Sequence, residues 1–192
     1  NADQTRTFTG HWPTHPIPIA VEAVGFNATE QQGIIAAVAT WNEFFNASKS
    51  FEIIYSGSSS LNVQNSTVVT SATVCSQPIV TPGGFAKKVM IYKKTSNWVH
   101  GSSAIAVTST CPVPDSSNTQ FKRITAAVME VNAVDYFSSG KPLPDMQSIM
   151  THELGHLLGL GHSCGSFSNG STVSCNDDYV QAMMYPSLGF SE

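Results

Sequence analysis

The sequence predicts an α/β fold, a sandwich whose sheet is laid down largely in the first half of the chain and braced by two long helices. Three observations predict it. Short runs rich in Val, Ile and Tyr recur between residues 17 and 131, bounded by Ser, Gly and Pro. Apolar residues at helical spacing follow the first of these runs. A second helical pattern stands at 146–158, after the last run.

The elements follow in order. Ile17, Ile19 and Val21 alternate in "HPIPIAVEAVG" and predict the first strand. In "NATEQQGIIAAVATWNEFFN", Ile34, Ile35, Val38, Trp41, Phe44 and Phe45 repeat at helical intervals, predicting a helix over 30–46. Thr29 with Gln32 three residues later has the form of a capping box for it. Strands are expected at 51–56 "FEIIYS", 87–93 "KKVMIYK", 103–109 "SAIAVTS" and 123–131 "RITAAVMEV". The 57–85 stretch, rich in Ser, Thr, Gly and Pro, is expected to be irregular, with Gly83–Gly84 a turn. "SSGKPLPD" delivers the chain to the second helix, with Asp145 as N-cap and Gly159 suited to a positive φ at the C-terminal end. No repeat or linker divides the 192 residues, which are read as one domain, 1–192.

Charged residues make up 11% of the chain, against about 25% in ordinary globular proteins. Ser, Thr, Asn and Gly take their place, a composition common on secreted proteins. The net charge of −4 and the lack of a basic run argue against a nucleic-acid partner. No apolar stretch approaches the roughly 20 residues needed to span a bilayer. The start "NADQTRTFTG" has no basic-then-apolar signal region, so a secreted precursor is expected to have lost one. Asn27, Asn46, Asn65 and Asn169 begin sequons that matter only where the source glycosylates.

Four cysteines, Cys75, Cys111, Cys164 and Cys175, allow two disulfides in three connectivities. Cys75–Cys111 and Cys164–Cys175 are favoured because each pair brackets loop-like sequence. Buried thiols in a cytosolic protein are the alternative.

The densest chemistry lies in "HELGHLLGLGH", residues 152–162. His152 and His156 are four apart, so on a helix they share a face one turn apart and can share a tetrahedral zinc ion. Glu153 sits beside the first ligand, placed to accept a proton from water. Breaking the helix at Gly159 lets the chain swing round and bring His162 to the metal from another side. Three protein nitrogens leave one position open, the pattern of a catalytic rather than a structural zinc site. Two surface histidines on an ordinary helix are the bland reading. The five fixed positions of the longer pattern bring its chance expectation to on the order of 10⁻⁴ over this chain.

His152-Glu153-x-x-His156-x-x-Gly159-x-x-His162 resembles the long zinc signature of the metzincin endopeptidases. That family also carries a methionine turn beneath the metal, for which "AMMYP" (Ala182–Pro186) is the candidate. Ser163 after the third histidine, together with "MMYP", looks most like the matrixins. In that alignment Met184 is the turn methionine. In the alternative register Met183 takes that place and Tyr185 stands two positions on, where astacin- and serralysin-like enzymes carry a tyrosine ligand.

The resemblance implies a twisted mixed sheet and two long helices in an upper lobe, about 1–159. A short irregular lower lobe, about 160–192, lies across a zinc-bearing cleft. It covers most of the chain in outline, but its specific residues fall only in 152–186. Three departures stand out. Twenty-one residues lie between His162 and Met184, and they carry Cys164 and Cys175. Only six follow Pro186, where the family normally adds a helix. No propeptide with an inhibitory cysteine is visible, so the chain reads as a mature catalytic domain whose propeptide was removed.

The implied function is a secreted zinc-dependent endopeptidase that hydrolyses protein substrates with Glu153 moving the proton of the attacking water. Tyr185 is a weaker candidate for assisting at the developing oxyanion. Substrate would lie extended along the antiparallel edge strand, placed within "SAIAVTS". A secreted binding or adhesive module with a structural zinc is the competing class; it has no need of a carboxylate at 153. A zinc hydrolase acting on another amide is a third reading.

Other candidates score lower. His11, His15 and His100 are isolated and read as surface or hydrogen-bonded residues. Cys164, close to His162, is a conceivable ligand, but a thiolate there would close the open position. Asp177 and Asp178 offer a weak calcium site and read more simply as a solvated loop.

Overall fold

Alternation along the strands sorts the sheet into two faces. The computed structural model describes residues 10–45, 50–57, 74–75, 79–80, 86–87, 89–118, 120–166, 172–173 and 183–184. Its elements are β1 (Gly10–His11), β2 (Ile17–Glu22), a 3-10 turn (Ala23–Gly25), α1 (Ala28–Phe44), β3 (Phe51–Gly57), β4 (Ile79–Val80) and β5 (Ala86–Lys87). They continue with β6 (Val89–Lys94), β7 (Ala106–Val113), β8 (Lys122–Asn132), α2 (Met146–Leu157), β9 (Gly165–Ser166) and β10 (Thr172–Val173). The architecture is mixed α/β.

β3, β2, β6 and β8 lie side by side and parallel, and β1 runs parallel to the first residues of β8. β7 is the exception. It pairs antiparallel with β8 from Ala106↔Val131 to Val113↔Arg123, and among the described residues it has no second strand partner. The sheet therefore ends, on this side, in an antiparallel edge strand.

Ile17, Ile19, Ile91 and Met129 point to one face, where they meet Ile34, Val38 and Trp41 of α1 and Ile149, Met150 and Leu154 of α2 in one core cluster. Ala20, Met90, Tyr92, Cys111 and Val128 point the other way, into a smaller cluster with Val74. The inner strands are buried on both faces, which is why β6 opens as the unbroken apolar run Val89–Tyr92. Two indole N–H groups tie the helical layer together. Trp41 Nε1 donates to Thr151 O at 2.8 Å, linking α1 to α2, and Trp12 Nε1 donates to Leu157 O at 2.6 Å.

Several boundaries differ from those expected. The first helix is Ala28–Phe44 rather than 30–46, and its box is built from Asn27 and Glu30, not Thr29 and Gln32. Asn27 Oδ1 accepts from the Glu30 N–H at 2.9 Å, and the Glu30 carboxylate accepts from the Asn27 N–H at 2.7 Å. Asn outranks Thr at this position, and with the helix started at Asn27 the Gln31 N–H is already taken by the Asn27 carbonyl at 2.9 Å. Buried Glu30 also pairs with Lys93 Nζ at 2.6 Å, joining the helix start to β6.

The edge strand begins at Ala106, later than the expected 103, because a turn closed by Ala104 N–H to Gly101 O occupies the first residues. It also runs further, through Pro112, where a register shift accommodates the missing N–H. Lys87 belongs with β5, which pairs with β4, and β6 starts at Val89. β1, β4, β9 and β10 have no counterpart among the expected strands, and β4 lies within the stretch expected to be irregular, where it pairs with β5. Most of the stretch expected to be irregular, 57–85, lies outside the described residues.

Cys75 and Cys111 form a disulfide, anchoring residue 75 to the middle of β7 on the face away from the helices. Cys164 is buried and also disulfide-bonded. Cys175, its expected partner, lies outside the described residues. No helix among the described residues is long and apolar enough to cross a membrane.

Candidate metal centre

Asp145 begins α2 as an N-cap: its carboxylate accepts from the Ser148 N–H at 2.9 Å and the Ser148 hydroxyl at 2.6 Å. These bonds, above all the hydroxyl one, hold the Asp145 carboxyl below the usual range for Asp. From that start the helix runs without a break to Leu157, so His152 and His156 project from one face. Leu158 is the C-cap, and Gly159 follows at φ +92. A β-carbon at 159 would overlap the Gly10 carbonyl oxygen of β1, so the turn demands glycine for its conformation and for the close approach of another strand.

Beyond that turn His162 folds back toward the helix. The rings of His152, His156 and His162 stand with centroids 4.7, 5.3 and 4.7 Å apart. Each offers a ligand atom within 4.8 Å of those of the other two, and the group can hold a metal ion.

The hydrogen bonds test whether these nitrogens suit a cation. His152 Nδ1 donates to Met183 O at 2.9 Å, and His156 Nδ1 donates to Leu160 O at 2.9 Å. A carbonyl only accepts, so in both rings a proton sits on Nδ1, and in the neutral ring Nε2 is the nitrogen that presents a lone pair. His156 Nε2 stands 3.1 Å from His162 Nε2. Two nitrogens each about 2.0–2.1 Å from one tetrahedral ion would be about 3.3–3.4 Å apart, so the observed spacing fits. Burial, and then the neighbouring His156, lower the His152 pKa to about 4; burial and His156 lower that of His162 as well. Neutral imidazoles are the form that ligates metals.

Glu153 is 5% exposed and sits on α2 beside the first histidine. Burial raises its pKa, an effect opposed by His156 and by the hydroxyl of Thr108. Thr108 lies on β7, the edge strand, with its side chain toward the helices. Its Oγ1 donates to Glu153 Oε2 at 2.5 Å and stands 3.2 Å from the Glu153 carbonyl oxygen. One carboxylate thus joins the helix that carries His152 and His156 to the strand at the sheet edge.

Met184 is buried while Met183 is 45% exposed. The Met184 sulfur lies against Gly155, where any β-carbon would collide with it. Ser163 N–H donates to Met184 O at 2.8 Å, tying the loop after His162 to the methionine pair, whose Met183 carbonyl holds His152. Tyr185, the weaker candidate, lies outside the described residues, as do Asp177 and Asp178.

The remaining histidines lie elsewhere: His15 is exposed, and His11 and His100 have carboxylate partners. His11 Nε2 is 2.9 Å from Asp115 Oδ2. His100 Nε2 is 3.0 Å from Glu130 Oε2, in a buried group where Glu130 also accepts from the Tyr92 hydroxyl at 2.7 Å and faces Lys94 at 3.6 Å. Cys164, being disulfide-bonded, has no thiolate to offer a metal.

Three contributors had no recognised signal in the sequence: Thr108 and the carbonyls of Met183 and Leu160. Strand alternation places Thr108 on the same side as Ala106, which packs on the helical core, and that is the one clue it leaves. No protein-family model matches the chain, and no curated protein matches it.

Proposed function

We propose that this chain is a zinc-dependent endopeptidase of metzincin type, most like the matrixins, acting on proteins outside the cell. One observation carries the reading: three imidazoles converge while a buried carboxylate, next in sequence to the first of them, is bonded to the strand at the sheet edge. A site serving structure alone has no use for that carboxylate.

His152, His156 and His162 would hold the metal. When bound, zinc supplies Lewis acidity at a carbonyl oxygen and makes water acidic near neutral pH. The residues do the rest. The Met183 and Leu160 carbonyls keep two rings in the tautomer that presents Nε2. Glu153 takes the proton from the attacking water and returns it to the leaving amine nitrogen. Burial favours its protonated form, which suits a group that must accept a proton and then release it. Among the described residues β7 has no second strand partner, so its outer edge would offer main-chain N–H and C=O groups to an extended peptide, which would add to the sheet as a further strand. The disulfides and the weakly charged, Ser/Thr-rich composition support an extracellular setting.

Glu153→Gln tests the proposal. The variant should bind one equivalent of zinc as the wild type does, while its peptide hydrolysis falls by at least about 10²-fold. Undiminished hydrolysis by the variant, or a zinc-loaded wild type inert toward unfolded protein substrates, would overturn it.

A further inference from the structure

Glu153 has rotatable bonds to spare, and a proton shuttle works only if its oxygens stay where the water will be. Among the described residues Thr108 is the one hydrogen-bond donor to that carboxylate. Its hydroxyl lies between two oxygens of the same residue, the carboxylate Oε2 at 2.5 Å and the main-chain carbonyl at 3.2 Å. One end of Glu153 is fixed by the helix and the other is clamped from the sheet. Thr108 is 45 residues away in sequence and belongs to the strand that would carry the substrate.

We propose that Thr108 is a positioning residue for the hydrolysis, its hydroxyl aiming the Glu153 carboxylate and coupling it to the edge strand. The role rests on the endopeptidase reading above. It acts through Glu153, so its loss should appear in turnover rather than in substrate binding. β7 keeps its backbone for the substrate whatever side chain stands at 108. A threonine present only for strand propensity or packing would show no such pattern, because valine replaces its shape without the donor.

The experiment measures kcat and KM on internally quenched peptides for zinc-loaded wild type, Thr108→Val, Thr108→Ser, Glu153→Gln and the Val/Gln double variant. Zinc content and thermal unfolding are recorded for each. Expected are a kcat about 10- to 100-fold lower for Thr108→Val with KM within about twofold, at unchanged zinc content. Thr108→Ser should recover most of the loss, and Thr108→Val should add nothing in the Glu153→Gln background. Should Thr108→Val fail to fold, Thr108→Ala takes its place under the same expectations. Wild-type kcat in the variant lacking the hydroxyl, no recovery with serine, or an equal further loss in the Glu153→Gln background would each overturn the role and leave the endopeptidase reading standing. A zinc-loaded wild type that cleaves none of the peptides would overturn both.

Discussion

In His152 and His156 the task of Nε2 is set by what Nδ1 touches. His152 shows the consequence for stability. Its folded pKa of about 4 lies below the ordinary 6.5, chiefly because burial penalises the cation and then because His156 stands beside it. In the metal-free protein the unfolded chain takes up this proton below about pH 6.5, while the fold resists it until about pH 4. Stability present above pH 6.5 is therefore lost as pH falls through that window, on the order of 3 kcal/mol. Denaturant titrations of the chelated protein between pH 7 and 4 should show this fall, and Gln at 152 should flatten it. At this scale the histidines were legible, because four-residue spacing on a helix leaves little freedom. Thr108 was not, because the contact exists only after β7 and α2 pack.

Among the elements, α2 sets the site, and what touches its far side matters as much as its ligands. Gly155 is a helix-interior glycine, and alanine there should gain about 1 kcal/mol by propensity alone. The β-carbon, however, would enter the space of the Met184 sulfur, and overpacking typically costs about 1–3 kcal/mol. Because Met183, next along the chain, supplies the acceptor for His152, the sharper effect is on the metal. Gly155→Ala should weaken zinc binding by about tenfold or more, measured by competition with a chelator. Unchanged affinity would separate the methionine pair from the centre. The sequence pattern located both helices and five of the six main-sheet strands, but not their ends. Asn27 and Thr29 both suit a cap, and the choice turned on how Glu30 could serve the cap and Lys93 together. Gly10–His11 is too short to read as a strand, yet its carbonyl is what Gly159 must clear.

Among the described residues, α1 and α2 cover one face of a mostly parallel sheet, and the antiparallel edge strand brings Thr108 to the carboxylate end of the site. A metal bound by the three histidines should add to the stability of that arrangement. Zinc at about a thousandfold its Kd should add about 4 kcal/mol. For a chain of this size that is about 10 °C in Tm, which scanning calorimetry with and without a chelator would read directly. The mixed α/β class was legible from periodicity. The order of strands and the pairing of β7 were not, since both depend on contacts between residues far apart in sequence. In the proposed centre three imidazoles, and no fourth protein group, gather one divalent ion. X-ray absorption at the zinc edge of the loaded protein tests it most directly. The account predicts one zinc per chain with three imidazole nitrogens at about 2.0–2.1 Å and one light non-protein ligand; a sulfur shell, a fourth protein donor or fewer than three imidazoles would contradict it.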